Sequence, residues 1–164
     1  MTTCQTITLD YDDEIANTRK LLELVPFDDA RRGYKPHPKS MALDRLATHV
    51  AELPGWPKIC LTVEVFELQP GFTPLIASSS AELLEIFDKA LVEGRAAIEA
   101  ATDEDMLKNW TFRWGDIFSM TATRPAVVRS FLNHLVHHRA QLGVYLRLND
   151  IAIPGMYGPS ADER

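Results

Sequence analysis

An all-α four-helix bundle with an irregular connecting loop and a C-terminal tail is the fold this sequence predicts. Three observations lead there. Apolar side chains recur every three or four residues in four separate stretches, and little of the remainder has the composition of a strand. The chain has 164 residues, 46% of them apolar, enough to bury one core and too few for a second full domain. Residues 1–164 are therefore expected to form a single domain.

In the first helix Tyr11, Ile15, Thr18, Leu22 and Val25 fall at alternating steps of four and three and mark one face. Its start is set either by Asp10 as a cap or further back, at about Thr6, and Pro26 ends it. Asp28 to Lys39 (DDARRGYKPHPK) is rich in Pro, Gly and charge and reads as a loop. Ser40 opens a second helix with Leu43, Leu46, Val50 and Leu53 on one side, and Pro54-Gly55-Trp56-Pro57 breaks or bends it. Lys58 to Leu68 has strand-like β-branched content, but the spacing of Ile59, Val63 and Phe66 favours a short helix. Ser79 and Glu82 form a capping box before a third helix, with a stripe of Leu84, Phe87, Leu91 and Ile98 and an end near Ala101.

Thr102 to Ala122 alternates poorly and is read as a loop with a short extended pair around Gly115. Thr123 with Pro125 starts the fourth helix, which carries Val127, Val128, Phe131, Leu132, Leu135, Leu142, Tyr145 and Leu146 and ends near Leu148. The tail from Asn149 to Arg164 is irregular, with Ile151, Ile153, Met156 and Tyr157 available to pack on the bundle.

Seventeen Lys and Arg against 23 Asp and Glu leave a formal charge of -6, which argues against nucleic acid as a partner. No apolar run approaches the ~20 residues of a membrane span, and the first residues are polar and acidic. A cytoplasmic protein with no membrane partner is the expectation. Cys4 and Cys60 make no disulfide framework and show no finger-like spacing. Cys4 is expected in a mobile N-terminus and Cys60 as a small buried thiol.

Three of the five histidines fall in FLNHLVHHRAQL. Residues four apart on a helix lie about 40° apart around its axis, so His134 and His138 share a face and can grip one ion. Position 138 continues the stripe of Val127, Phe131, Leu142 and Tyr145, which points the pair into the bundle. His49, beside Leu46, Val50 and Leu53, is the obvious candidate for a third ligand, although a lone histidine near an apolar face is more often a satisfied core residue. Three neutral imidazoles suit zinc, nickel or a similar ion and leave at least one position open. Burying them without partners costs on the order of 1 to 3 kcal/mol each, so either a metal or a hydrogen-bond network has to satisfy them. An HxxxH pair by itself also occurs on helices that bind nothing. His137 is rotated away, and His37 sits in the loop. Arg139 and Gln141 beside the pair are read as contacts to a ligand or its substrate, or as a structural salt bridge and a surface hydrogen bond.

The segment HLVHHRAQLGVYLRLNDIAIPGMYGPSADE, from His134 to Glu163, closely resembles the C-terminal signature of the DinB/YfiT-like superfamily of metalloenzymes. YKPHPKSMALDRLATHVAELPGW resembles that family's second-helix region, histidine included. The translesion polymerase that shares the DinB name is a different protein, and nothing here resembles it. The resemblance implies a four-helix bundle with a metal held by His49, His134 and His138. Ala140 departs from the family's usual glycine, a small-for-small change that a helix tolerates.

Some relatives are S-transferases or isomerases using a low-molecular-weight thiol such as bacillithiol or mycothiol, so the resemblance implies a metal-dependent thiol S-transferase acting on a small-molecule substrate. Trp56, Gln141 and Tyr145 are weak candidates to line a cofactor pocket, with core or rim packing the favoured reading of Trp56 and Tyr145. The alternative is a metal-binding stress-response protein without turnover. A third reading is hydrolysis by bound hydroxide, which needs a carboxylate base; Asp44 is nearest in sequence but turned to another face. Family members are often homodimers, and Trp110, Trp114, Ile153 and Met156 are the apolar residues expected to serve that interface.

Overall fold

The computed structural model describes residues 2–163. Met1 and Arg164, the ends of the expected domain, lie outside the described residues. The long elements are α1 (Thr3–Leu22), α2 (Leu43–Glu52), α4 (Ser80–Ala100) and α6 (Arg124–Leu148). A single 3-10 turn (Leu53–Gly55) joins α2 to a short α3 (Trp56–Thr62), and α5 (Asp103–Met106) is one turn.

The chain is mostly helical but not all-α. β1 (Val65–Glu67), β2 (Asn109–Trp114) and β3 (Phe118–Thr123) form a sheet in that order, β1 parallel and β3 antiparallel to β2. The expected loop from Thr102 to Ala122 is thus largely a hairpin turning at Gly115, whose φ of 47° suits glycine. The reason lies in the pairing. Trp110 faces Ala122, Phe112 faces Met120 and Trp114 faces Phe118, so every apolar side chain of both strands stands on one face. Phe66 of β1 extends that face by pairing with Phe112. Lys58 to Leu68, expected as one helix, is α3 as far as Thr62 and strand from Val65.

Two helix starts differ from expectation because of their caps. α1 begins at Thr3 because Thr2 and Gln5 form a capping box, and it ends at Leu22, before Pro26. Cys4 is therefore buried, its thiol donating to the Ala101 carbonyl at 3.2 Å. α2 begins at Leu43 after Ala42, with no side-chain cap, and Ser40 belongs to the preceding turn. Ser79 does cap α4 through the Glu82 N–H, while the Glu82 carboxylate accepts from Ser78.

α2 packs between α4 and α6, with Leu43, Leu46, Val50 and Leu53 all buried as expected. Tyr11 of α1 donates its hydroxyl to the Pro54 carbonyl at 2.9 Å. The hydroxyl of buried Thr48 accepts from the Ala77 N–H at 2.9 Å, tying the loop before α4 to α2. A second cluster, with Cys60, Trp110, Val127 and Val128 at its centre, fills the space between α3, α6 and the sheet. Burial pushes the Cys60 thiol up to about 12, which suits an inert core residue. Ile151, Ile153 and Met156 pack the tail on the main core. Of the four residues expected at a dimer interface, only Trp114 is well exposed, and Trp110 is fully buried. Among the described residues no helix is long and apolar enough to cross a membrane.

Candidate metal centre

α2 and α6 run antiparallel along one seam, and contacts fix their register. At one end the Tyr145 hydroxyl donates to the Met41 carbonyl at 3.3 Å. At the other, Trp56 packs on Phe131 with ring centroids 5.1 Å apart. The three histidines meet between these points.

His134 and His138 stand one turn apart on α6, and His49 reaches them from α2. Ring centroids are 5.1 Å apart for His49 and His134, 4.7 Å for His49 and His138, and 4.6 Å for His134 and His138. One donor nitrogen from each ring lies within 4.8 Å of the others. The Nε2 atoms of His49 and His134 are 3.4 Å apart. A tetrahedral ion with metal–nitrogen bonds of about 2.0–2.1 Å holds two ligand nitrogens roughly 3.3–3.4 Å apart. The donor set thus fits a borderline divalent ion, and three ligands leave a coordination position open.

The electrostatics favour neutral rings, the form a metal requires. Burial is the main cause, with the charges of neighbouring histidines second: His49 is pushed down to about 3 and His134 to about 4. His138 is also lowered, chiefly by burial, while its bond to Gln141 acts in the other direction. That bond, 2.7 Å between His138 Nδ1 and Gln141 Oε1, fixes the ring with Nδ1–H as donor and leaves Nε2 as the free ligand atom.

The other residues singled out in the sequence have separate roles. Tyr145 is core, its ring edge-on to Tyr34 at 6.1 Å. Trp56 joins an aromatic wall with Phe131 and Phe66 beside the histidines rather than standing alone as a pocket residue. Arg139 is buried on the opposite side of α6, paired with Glu14 at 2.6 Å and bonded to Thr18 and Tyr157. It is structural. His37 is exposed and His137 faces outward. Asp44 is turned away as its spacing predicts, facing Arg32 at 3.6 Å.

Two flanking residues were missed. Arg45 and Glu52 lie one turn before and after His49 on α2, and their side chains pair at 3.2 Å. Their offsets of four and three from His49 are the signal that could have found them.

The sequence pattern of the DinB family matches residues 7–164. The chain belongs to the DinB family. Solved structures of similar fold include a DinB-like protein from Bacillus cereus, 19% identical, with a TM-score of 0.71 over 93% of this chain and 97% of that one. The DinB-like protein YjoA from Bacillus subtilis is 18% identical, with a TM-score of 0.67 over 92% of this chain and 97% of its own. YfiT from Bacillus subtilis is described as a probable metal-dependent hydrolase with an unusual four-helix bundle topology. It is 14% identical, with a TM-score of 0.66 over 91% of this chain and 89% of its own. No protein of curated function matches the chain. At these identities the likeness concerns the fold, and the three-histidine cluster rests on the chain's own geometry.

Proposed function

We propose that this DinB-family protein is a metal-dependent enzyme that holds one divalent transition ion, zinc or nickel, through His49, His134 and His138. Its substrates are a low-molecular-weight thiol and a small electrophile. The observation that carries the reading is the convergence of three depressed, neutral imidazoles at a spacing that suits tetrahedral coordination. A bound ion would supply Lewis acidity, lowering the pKa of a thiol so that thiolate is available at neutral pH. The chain supplies the rest. Gln141 holds the His138 ring in one orientation, and the wall of Trp56, Phe131 and Phe66 keeps one side of the centre dry. In the transfer a sulfur–carbon bond forms on the electrophile, the thiol proton passes to solvent, and the electrophile's leaving group or π-bond takes the displaced electron pair.

Hydrolysis is the second reading, supported by the half-buried Glu52 carboxylate one turn from His49 and by the description of YfiT. Self-association as a homodimer, with Trp114 in the interface, completes the proposal; a monomer mass at micromolar concentration in sedimentation would remove it.

The test is metal content with thiol titration. Untagged protein is expected to carry one ion per chain, His134→Ala to lose it, and bacillithiol, mycothiol or glutathione to perturb a cobalt-substituted centre. Retained metal with no response to thiols and no hydrolysis would favour a non-catalytic metal-binding protein. No metal in either form would sink the proposal.

A further inference from the structure

Two polar side chains flank the histidines, Arg45 one turn before His49 on α2 and Gln141 one turn after His138 on α6. The Arg45 side chain is only 17% exposed, and it is anchored through one nitrogen. Nη1 donates to Glu52 Oε2 and to the Leu75 carbonyl, both at 3.2 Å. Nε and Nη2 have no protein acceptor among the described residues. On α6, Gln141 spends Oε1 on His138, which leaves its amide N–H groups as unused donors. The positive charge of Arg45 reaches both His49 and His138, where it helps to lower their basicity.

We infer that Arg45 and Gln141 form an anion subsite that takes a carboxylate of the substrate while its reacting atom lies among the three histidines. A guanidinium fork matches a carboxylate in shape and charge, and partial burial strengthens the pairing over one in water. Glu52 does not fill this role, because it holds the opposite nitrogen and so presents the free edge of the fork. The surface as a whole carries a charge of -6, so a local cation beside the centre selects where an anion docks. The chemical class is a small carboxylate-bearing molecule. What reacts rests on the proposed function; what binds at Arg45 does not.

The test follows the side-chain Nε–Hε resonance of Arg45 by NMR, in chelator-treated and in zinc-loaded protein, during titration with 3-mercaptopropionate and with neutral 2-mercaptoethanol. The Arg45 resonance is expected to shift saturably with the mercaptocarboxylate in both forms and to ignore the neutral thiol. In the zinc-loaded protein the mercaptocarboxylate is expected to bind at least about tenfold tighter, the gain of one charge-assisted hydrogen bond. Arg45→Gln should abolish that preference with metal content unchanged, and Arg45→Lys should keep part of it. No Arg45 shift in either form, or equal affinity for the two thiols, overturns the subsite. Failure to bind zinc overturns the functional reading instead, and the zinc-free titration still decides on Arg45. If Arg45→Gln does not fold, discrimination between the two thiols by the wild-type protein decides.

Discussion

Gly94 of α4 sits where the helix meets the turn that carries α2 into α3. A Cβ there would lie 1.9 Å from the Pro54 carbonyl oxygen and 2.8 Å from the Tyr11 hydroxyl. The backbone of Pro54 would have to retreat by about 1 Å, and that same carbonyl accepts the buried Tyr11 hydrogen bond at 2.9 Å. Gly94→Ala gains about 1 kcal/mol in helix propensity. Against this stand about 1–3 kcal/mol for overpacking and a similar amount for weakening the buried hydrogen bond. The net expectation is a loss of about 3 kcal/mol, a fall in Tm of roughly 6–12 °C for a domain of this size. Gly143→Ala is the control, because its Cβ would meet only Ile153 and Leu21 side chains at 3.7 and 3.9 Å. It should raise Tm by about 2–4 °C. Thermal melts by far-ultraviolet circular dichroism read both. A Gly94→Ala protein as stable as wild type would refute the close approach of α4 to the Pro54 turn.

Stability of the chelator-treated protein should fall with pH through the histidine cluster. The folded pKa values of about 3 for His49 and about 4 for His134 lie below the ordinary value near 6.5. The unfolded chain therefore takes up protons that the folded chain refuses. The contribution is whole above about pH 6.5 and is lost as the pH falls toward 4. Discounted for the rings' residual contact with water, the loss at pH 5 is about 2 kcal/mol for the pair. Urea midpoints at pH 7 and pH 5 measure it, and a His49→Gln, His134→Gln double variant with the same pH dependence would contradict it. Gln141→Leu should weaken metal binding about 10–100-fold by releasing His138, with little change in melting; chelator competition reads this, and unchanged affinity argues against the orienting bond. Glu14→Gln leaves Arg139 buried without its carboxylate and should cost about 3 kcal/mol, so a Tm within 2 °C of wild type would count against that pair.

The long helices were legible because their cores are strictly periodic, and the His134 and His138 pair because i, i+4 spacing is a property of the helix alone. His49 needed a partner helix, which periodicity identified through its place beside Leu46, Val50 and Leu53. The sheet was legible in outline, as a short extended pair around Gly115, but not in its length or its third strand. Trp110, Phe112 and Trp114 alternate without a fault, as do Phe118, Met120 and Ala122, but the apolar Ile117 in the turn between them breaks the alternation when the segment is scanned as one piece. What no local reading supplies is register across elements. That Trp56 meets Phe131, and that His49 meets His134 and His138, depends on how two helices slide along each other.

Arg139 shows why the neighbouring residue in sequence is the wrong place to look for a partner to His138. Consecutive residues on a helix point about 100° apart, so α6 carries the histidines on the α2 side and Arg139 on the α1 side. There the guanidinium bonds to the Glu14 carboxylate, the Glu14 carbonyl and Thr18, while Tyr157 of the tail closes over it. A buried charge with that many directional partners resists rotation of the helix about its own axis, since any roll breaks several charge-assisted bonds at once. The imidazoles of His134 and His138 must converge with His49 to within a few tenths of an ångström to share an ion. On this geometry the network on the far side of α6 holds His134 and His138 turned toward His49.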